Sequence, residues 1–235
     1  MRLIFVRHGE PDYANDCLTE NGRKQAECTA ARLHDEKITA IYASPMGRAV
    51  ETASYTAKDH GLDIRILDFM HEINWGDRDR VRETDEKVPN GGHPWTLAYR
   101  MLTEDPSYVG ADEWREHPYF RDNSCIDCYK TVAEGFDRFL DSLGFVRKNG
   151  LYECVGANDD TIALFAHGGS GAVMFSHVLN LPFPFALTTL PYGVCSVSVL
   201  DFSAQNGELV VPRLELFNDM GHISTIKQEK LHFDK

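Results

Sequence analysis

The chain has 235 residues, 43% hydrophobic and 26% charged, a globular balance with room for one sizeable core. Its 24 Lys and Arg against 36 Asp and Glu leave a net charge of −12, which argues against nucleic acid or an anionic membrane as a partner. Six scattered cysteines lack the density of a disulfide scaffold, no apolar stretch approaches membrane-spanning length, and the apolar run before Arg7 is too short for a signal-peptide core, so the expectation is a cytoplasmic protein.

In chain order, the run Leu3-Ile4-Phe5-Val6 predicts a buried strand over 2–6 that ends in Arg7-His8-Gly9-Glu10. A helix follows over about 20–36 and a strand over 38–43. The next residues, Ser44-Pro45-Met46-Gly47-Arg48, read as a Ser N-cap and a Pro at the first position of a helix over 45–59, which puts Arg48 in the first turn. An alternating strand over 62–67 precedes His71-Glu72-Ile73-Asn74-Trp75-Gly76. This βαβ rhythm predicts an α/β fold with a mostly parallel central sheet flanked by helices.

Residues 77–124 break the rhythm with a charged run, the turn-forming Asn90-Gly91-Gly92-His93-Pro94, and the aromatics Trp95, Tyr99, Tyr108, Trp114, Tyr119 and Phe120. The expectation is a lid of short helices and loops inserted at about 77–124 into a single domain spanning 1–235. A helix over 127–143 returns to a strand over 161–166, which runs into His167-Gly168-Gly169, and then to a helix over 170–180. Two last strands, near 193–202 and 208–217, flank Asn206-Gly207, a dipeptide suited to a hairpin turn.

In an open parallel sheet the carboxyl ends of the strands border the ligand crevice, so the two strand ends bring His8 and His167 toward one site. Two histidines and an arginine suit a phosphate. Backbone N–H groups and the positive end of the helix dipole beside Arg48 favour an anion as well, to which the guanidinium adds bidentate binding. The bland alternative for Arg48 is a pairing with Glu51 or Thr52 along its own helix, and for His167 a satisfied core histidine.

Taken together, Arg7-His8-Gly9-Glu10, Leu18-Thr19-Glu20-Asn21-Gly22, Ser44-Pro45-x-x-Arg48-Ala49-x-x-Thr52-Ala53, Glu72-x-x-x-Gly76 and Ala166-His167-Gly168 resemble the histidine phosphatase superfamily, also called phosphoglycerate-mutase-like. The resemblance covers roughly residues 1–76 and 160–223 and leaves the middle unexplained. It implies a phosphatase of small phosphorylated substrates that needs no cofactor and no metal. His8 would be the nucleophile, attacking phosphorus through one ring nitrogen while the other donates its proton to a fixed acceptor such as a backbone carbonyl. Arg7, Arg48 and His167 would hold the phosphoryl oxygens and offset charge that builds in the transition state. Gly168, followed by Gly169 and Gly171, would leave a turn where a ligand meets bare backbone. Glu72 would be the general acid and then the base on water, with Trp75 shielding its carboxyl from solvent.

Glu10 and Thr19 come second, as substrate contacts or as residues that order the loop. The mutase motif continues from R-H-G-E through Ser to an Asn, and this chain reads Glu10-Pro11-Asp12-Tyr13-Ala14 instead; an arginine follows the mutase acid, and here Ile73 does. Both departures favour a phosphatase over a phosphoglycerate-type mutase. A phospho-ligand-binding module that has lost catalysis is the third reading, opposed by the intact set His8, Arg48, Glu72 and His167. Asn218 and His222 either border the site or brace the C-terminal turn. No phosphate-binding string of the G-x-x-x-x-G-K-[ST] type occurs, and Cys125-x-x-Cys128 without a second pair reads as two thiols at a helix start.

Overall fold

The computed structural model describes residues 1–76, 89–110 and 112–226, with residues 89 and 90 described by their backbone alone. The chain runs through β1 (Arg2–Arg7), β2 (Pro11–Asp12), β3 (Cys17–Leu18), α1 (Glu20–Leu33), β4 (Ile38–Ala43), α2 (Gly47–His60), β5 (Ile64–Ile66), α3 (Pro94–Glu104) and α4 (Cys125–Ser142). It continues through β6 (Phe145–Lys148), β7 (Leu151–Cys154), β8 (Thr161–Ala166), α5 (Gly168–Val178), α6 (Phe183–Thr189), β9 (Val197–Asp201), β10 (Leu209–Val210) and β11 (Arg213–Asp219).

The central sheet has the order β11-β9-β1-β8-β4-β5. Strands β1, β8, β4 and β5 run parallel, and β9 and β11 close one edge antiparallel. The middle strands are covered on both faces, which is why β8 is buried at every residue and β1 reads as an unbroken apolar run. Alternation along β1 divides the core. Leu3 and Phe5 face the layer of α3, α4, α5 and α6, whereas Ile4 and Val6 face Leu33 of α1 and Ala53 and Ala57 of α2. At Gly171 a Cβ would lie 2.5 Å from Phe5 Cζ, so only glycine lets α5 sit this low on β1. That contact sets the height of the α5 N-terminus.

Helix α2 begins at Gly47, two residues later than expected, and Ser44 and Pro45 lie outside it. Its first free N–H is met from elsewhere: Gly47 N donates to Asp16 Oδ2 at 2.7 Å. Strand β5 is shorter than the alternating stretch 62–67, and α1 ends at Leu33 rather than near 36. The Asn206-Gly207 turn does not form a tight hairpin between two strands of the main sheet. Gly207 N donates to Cys154 O and Cys154 N to Glu208 O, which draws β10 onto β7 in a separate sheet ordered β10-β7-β6. The chain then returns with β11 beside β9.

Residues 77–88 and 111 of the expected lid lie outside the described residues. The described remainder of 77–124 enters the main core: Leu97, Ala98, Met101, Trp114 and Phe120 are buried in one cluster with α4, α5 and α6. Trp114 packs its ring on Phe120, Tyr129 and Phe183.

Candidate active site

Strands β1 and β8 pair in parallel with Arg7 opposite Ala166, so their ends deliver His8 and His167 side by side. The two rings lie edge to face with centroids 5.1 Å apart, and both residues are buried, 1% and 0% exposed. His8 Nδ1 is 2.7 Å from Gly9 O. A carbonyl can only accept, so Nδ1 carries the proton and Nε2 presents a lone pair. Burial first, and then the charges of Arg7 and Arg48, push the pKa of His8 down from 6.5 to about 3, which keeps the imidazole neutral.

His167 is tuned by a serine. Its Nε2 lies 2.7 Å from Ser44 Oγ, and that oxygen already accepts from Met46 N at 3.3 Å. The hydroxyl can donate its own proton to His167 Nε2, and in that tautomer Nδ1 is the protonated nitrogen. Burial, with His8, Arg48 and Arg7 nearby, holds the pKa of His167 far below the ordinary histidine range. His167 Nδ1 and Arg7 Nε are buried and without a hydrogen-bond partner among the described residues, two donors of the kind a phosphoryl oxygen satisfies.

Arg7 is fixed by donating from Nη1 to Tyr192 O. A Cβ on Gly168 would lie 3.6 Å from Arg7 Nε, so the bare turn at the start of α5 stands against the guanidinium. Arg48, buried in the first turn of α2, donates from Nε to His8 Nε2 at 3.4 Å and from Nη1 to Asp16 Oδ1 at 2.6 Å. Its partner is thus Asp16 and not Glu51, whose carboxylate accepts from Arg23 and from Leu18 N. Asp16 carries the negative charge expected of a ligand at the α2 N-terminus, since it meets both Gly47 N and Arg48.

Glu72 reaches the same site from the segment after β5. Its Oε1 accepts from Ser170 N and Ile73 N, each at 3.0 Å, which anchors that oxygen on the first turn of α5. Trp75 does not serve as its shield. The indole is 45% exposed and packs edge-on against His93 and Trp95. Arg48, Glu72 and Trp75 line one open cleft, together with Tyr13 and Asn123.

Glu10 and Thr19 are bonded to each other. Thr19 Oγ1 donates to Glu10 Oε1 at 2.7 Å and caps α1 by accepting from Gly22 N at 2.9 Å, and Asn21 Nδ2 donates to Glu10 Oε2 at 2.7 Å. Of the two expected roles, loop ordering is the one these bonds perform. A Cβ on Gly22 would lie 2.2 Å from Glu10 O, which accounts for the glycine in that motif. Asn218 accepts from Gly193 N at 2.7 Å and so braces the loop that presents Tyr192 O to Arg7, whereas His222 Nε2 lies 3.1 Å from Thr29 Oγ1 of α1.

The residues that sequence reasoning missed are Asp16, the Ser44 hydroxyl as a partner of His167, and the Tyr192 carbonyl. Among the described residues no group of three or more His, Cys, Asp and Glu gathers as a metal site, and Cys128 Sγ takes a hydrogen bond from Asn74 N at 3.3 Å. No described helix is long and apolar enough to cross a membrane.

Residues 3–214 match the family model of the histidine phosphatase superfamily, branch 1, and the chain belongs to that superfamily. Among curated proteins it is 32% identical over 108 residues to phosphoserine phosphatase 1 of Hydrogenobacter thermophilus, a match covering 40% of this chain and half of that protein. It is 27% identical over 145 residues to glucosyl-3-phosphoglycerate phosphatase of Mycobacterium tuberculosis, covering 48% of this chain and 65% of the relative. A probable phosphoglycerate mutase of Enterobacter sp. is 24% identical over 240 residues, covering 98% and 99%. The solved complex of the mycobacterial glucosyl-3-phosphoglycerate phosphatase with inorganic phosphate shares the fold, with a TM-score of 0.62 at 24% identity over 95% of this chain and 99% of that one.

Proposed function

We propose that the protein is a metal-independent, cytoplasmic phosphomonoesterase that hydrolyses a small phosphorylated metabolite through a phosphohistidine on His8. The observation that carries the reading is the state of His8: a buried neutral imidazole whose Nδ1 proton is tied to Gly9 O, with Nε2 3.4 Å from Arg48 Nε. His8 Nε2 attacks phosphorus, and the P–O bond to the leaving group breaks as Glu72 Oε2 delivers a proton to that oxygen. Arg7 Nε, Arg48 and His167 Nδ1 bind the three phosphoryl oxygens while charge spreads over them. Glu72, now a carboxylate, takes a proton from water, and the water oxygen displaces His8 to release inorganic phosphate. Gly9 O keeps the Nδ1 proton in place through both steps.

A phosphoglycerate-type mutase is the competing reading, supported by the relative that the chain matches end to end. Ile73 speaks against it. Where the mutases set an arginine after the acid, this side chain is 2% exposed and packed where a Cβ on Gly169 would come within 2.5 Å of it. The test is a panel of sugar phosphates, phosphoglycerates, nucleotides and phosphoamino acids assayed in EDTA, with trapping of labelled enzyme. Acid-labile, base-stable label lost in His8→Ala, with stoichiometric phosphate release, is the expected result. Interconversion of phosphoglycerates without phosphate release, or label on serine or aspartate, overturns it.

A further inference from the structure

Asp16 sits in the short strap between β2 and β3, with φ +48, and no motif of the chain points to it. The strap is pinned. Asp12 orders its turn by accepting from Ala14 N at 3.0 Å and from Asn15 Nδ2 at 2.7 Å, and Leu18 N donates to Glu51 Oε2 of α2 at 2.7 Å. At Gly47 a Cβ would lie 2.2 Å from Asp16 O, so the absence of a side chain there admits the Asp16 backbone to the end of α2.

The Asp16 carboxylate divides its oxygens. Oδ2 accepts from Gly47 N and does the work of a helix cap; Oδ1 accepts from Arg48 Nη1 at 2.6 Å. The second contact is the informative one. A guanidinium is planar, so fixing Nη1 fixes the direction of Nε, and Nε is the atom that meets His8 Nε2. The Tyr13 ring, 5.4 Å from Arg48 Cζ, covers the group from the strap side.

We propose that Asp16 is a positioning residue for the phosphoryl transfer proposed above, holding Arg48 beside His8 so that its N–H edge passes to the phosphoryl oxygens as His8 Nε2 gives its lone pair to phosphorus. It acts through Arg48 and touches no reacting atom. Because the carboxylate also lowers the positive charge facing the substrate, its removal weakens the transition-state fit without weakening ground-state attraction for phosphate.

Asp16→Asn separates the two jobs. The amide oxygen can still cap Gly47 N, but the amide nitrogen then opposes Arg48 Nη1, donor against donor. The expected result is a melting temperature close to wild type and a kcat lower by on the order of ten- to a hundredfold. Inorganic phosphate should inhibit no less tightly than before, and vanadate should lose affinity in parallel with kcat. Asp16→Ala, which loses cap and clamp together, should lose stability as well. A wild-type or raised kcat in Asp16→Asn overturns the assignment, as does a loss of phosphate and vanadate affinity in equal measure. Single-turnover labelling of His8 in the wild-type enzyme separates the two readings: absent label sinks the phosphohistidine mechanism itself, whereas normal label with an unaffected Asp16→Asn sinks only the role of Asp16.

Discussion

Gly169 and Glu72 are in such close contact that a Cβ on residue 169 would lie 2.5 Å from Glu72 Oε1, and equally close to Ile73 Cγ1. Ile73 is buried and cannot swing aside. Gly169→Ala therefore pushes the carboxyl off Ser170 N, and overpacking of this kind costs about 1–3 kcal/mol. The expected outcome is a folded, less stable enzyme whose turnover of alkyl phosphates falls more than that of nitrophenyl phosphate. Unchanged kinetics on both substrates would show that the anchor of Glu72 is immaterial.

Glu72→Gln asks a cleaner question, because the amide oxygen can keep both backbone hydrogen bonds that Oε1 accepts. An alkoxide of high pKa needs its proton in the transition state and a nitrophenolate does not, so alkyl phosphates should slow by on the order of 10²-fold or more and nitrophenyl phosphate far less. Phosphoenzyme should build up with the activated substrate, as water then lacks its base. Equal losses with no build-up would move the acid role elsewhere, Asp68 on the same cleft being the next carboxylate to test.

Ser44 Oγ is the partner of His167 Nε2 at 2.7 Å, and both residues are fully buried. Ser44→Ala leaves Nε2 unpaired in the interior, at a cost of about 1–3 kcal/mol. Urea unfolding should register that cost, and kcat should fall as Nδ1–H ceases to be fixed toward the phosphoryl group. Should both stay at wild-type values, the serine is a bystander and His167 takes its tautomer from the ligand.

Arg7, His8 and His167 were legible in the sequence because each ends an apolar run, and parallel pairing of β1 with β8 converts two strand ends into one site. Partners fixed by long-range contact were not. Arg48 had two candidates one turn along its own helix, yet it pairs with Asp16, 32 residues earlier in a loop without periodicity. Ser44-Pro45 carries the local signature of a helix start, but the serine is taken by a histidine 123 residues away and α2 starts later. The β6–β7 hairpin was legible and missed. Asn149-Gly150, with φ of +51 and +83, is the two-residue turn that joins it, whereas the Asn-Gly at 206–207, expected to make a hairpin, does not.

The neutral state of His8 has a consequence for stability against pH. The unfolded chain binds a proton at this residue near its ordinary pKa of 6.5, whereas the folded protein refuses it until about 3. Between those values the unfolded state holds more protons, so stability falls as the pH drops through the window and is fully regained above it. At pH 5 the loss from His8 alone is about 2 kcal/mol, and it depends little on how far below 5 the folded pKa lies. His167, lowered in the same direction by burial, adds to it. His34 on the surface, raised by Asp59, works the opposite way but is common to wild type and variant. Urea unfolding of wild type and His8→Gln at pH 7 and pH 5 isolates the effect. The difference in unfolding free energy between the two pH values should be smaller in the variant by about 2 kcal/mol. An identical difference in both proteins would mean that His8 takes up its proton in the folded state as readily as in the unfolded chain, and that burial does not hold it neutral.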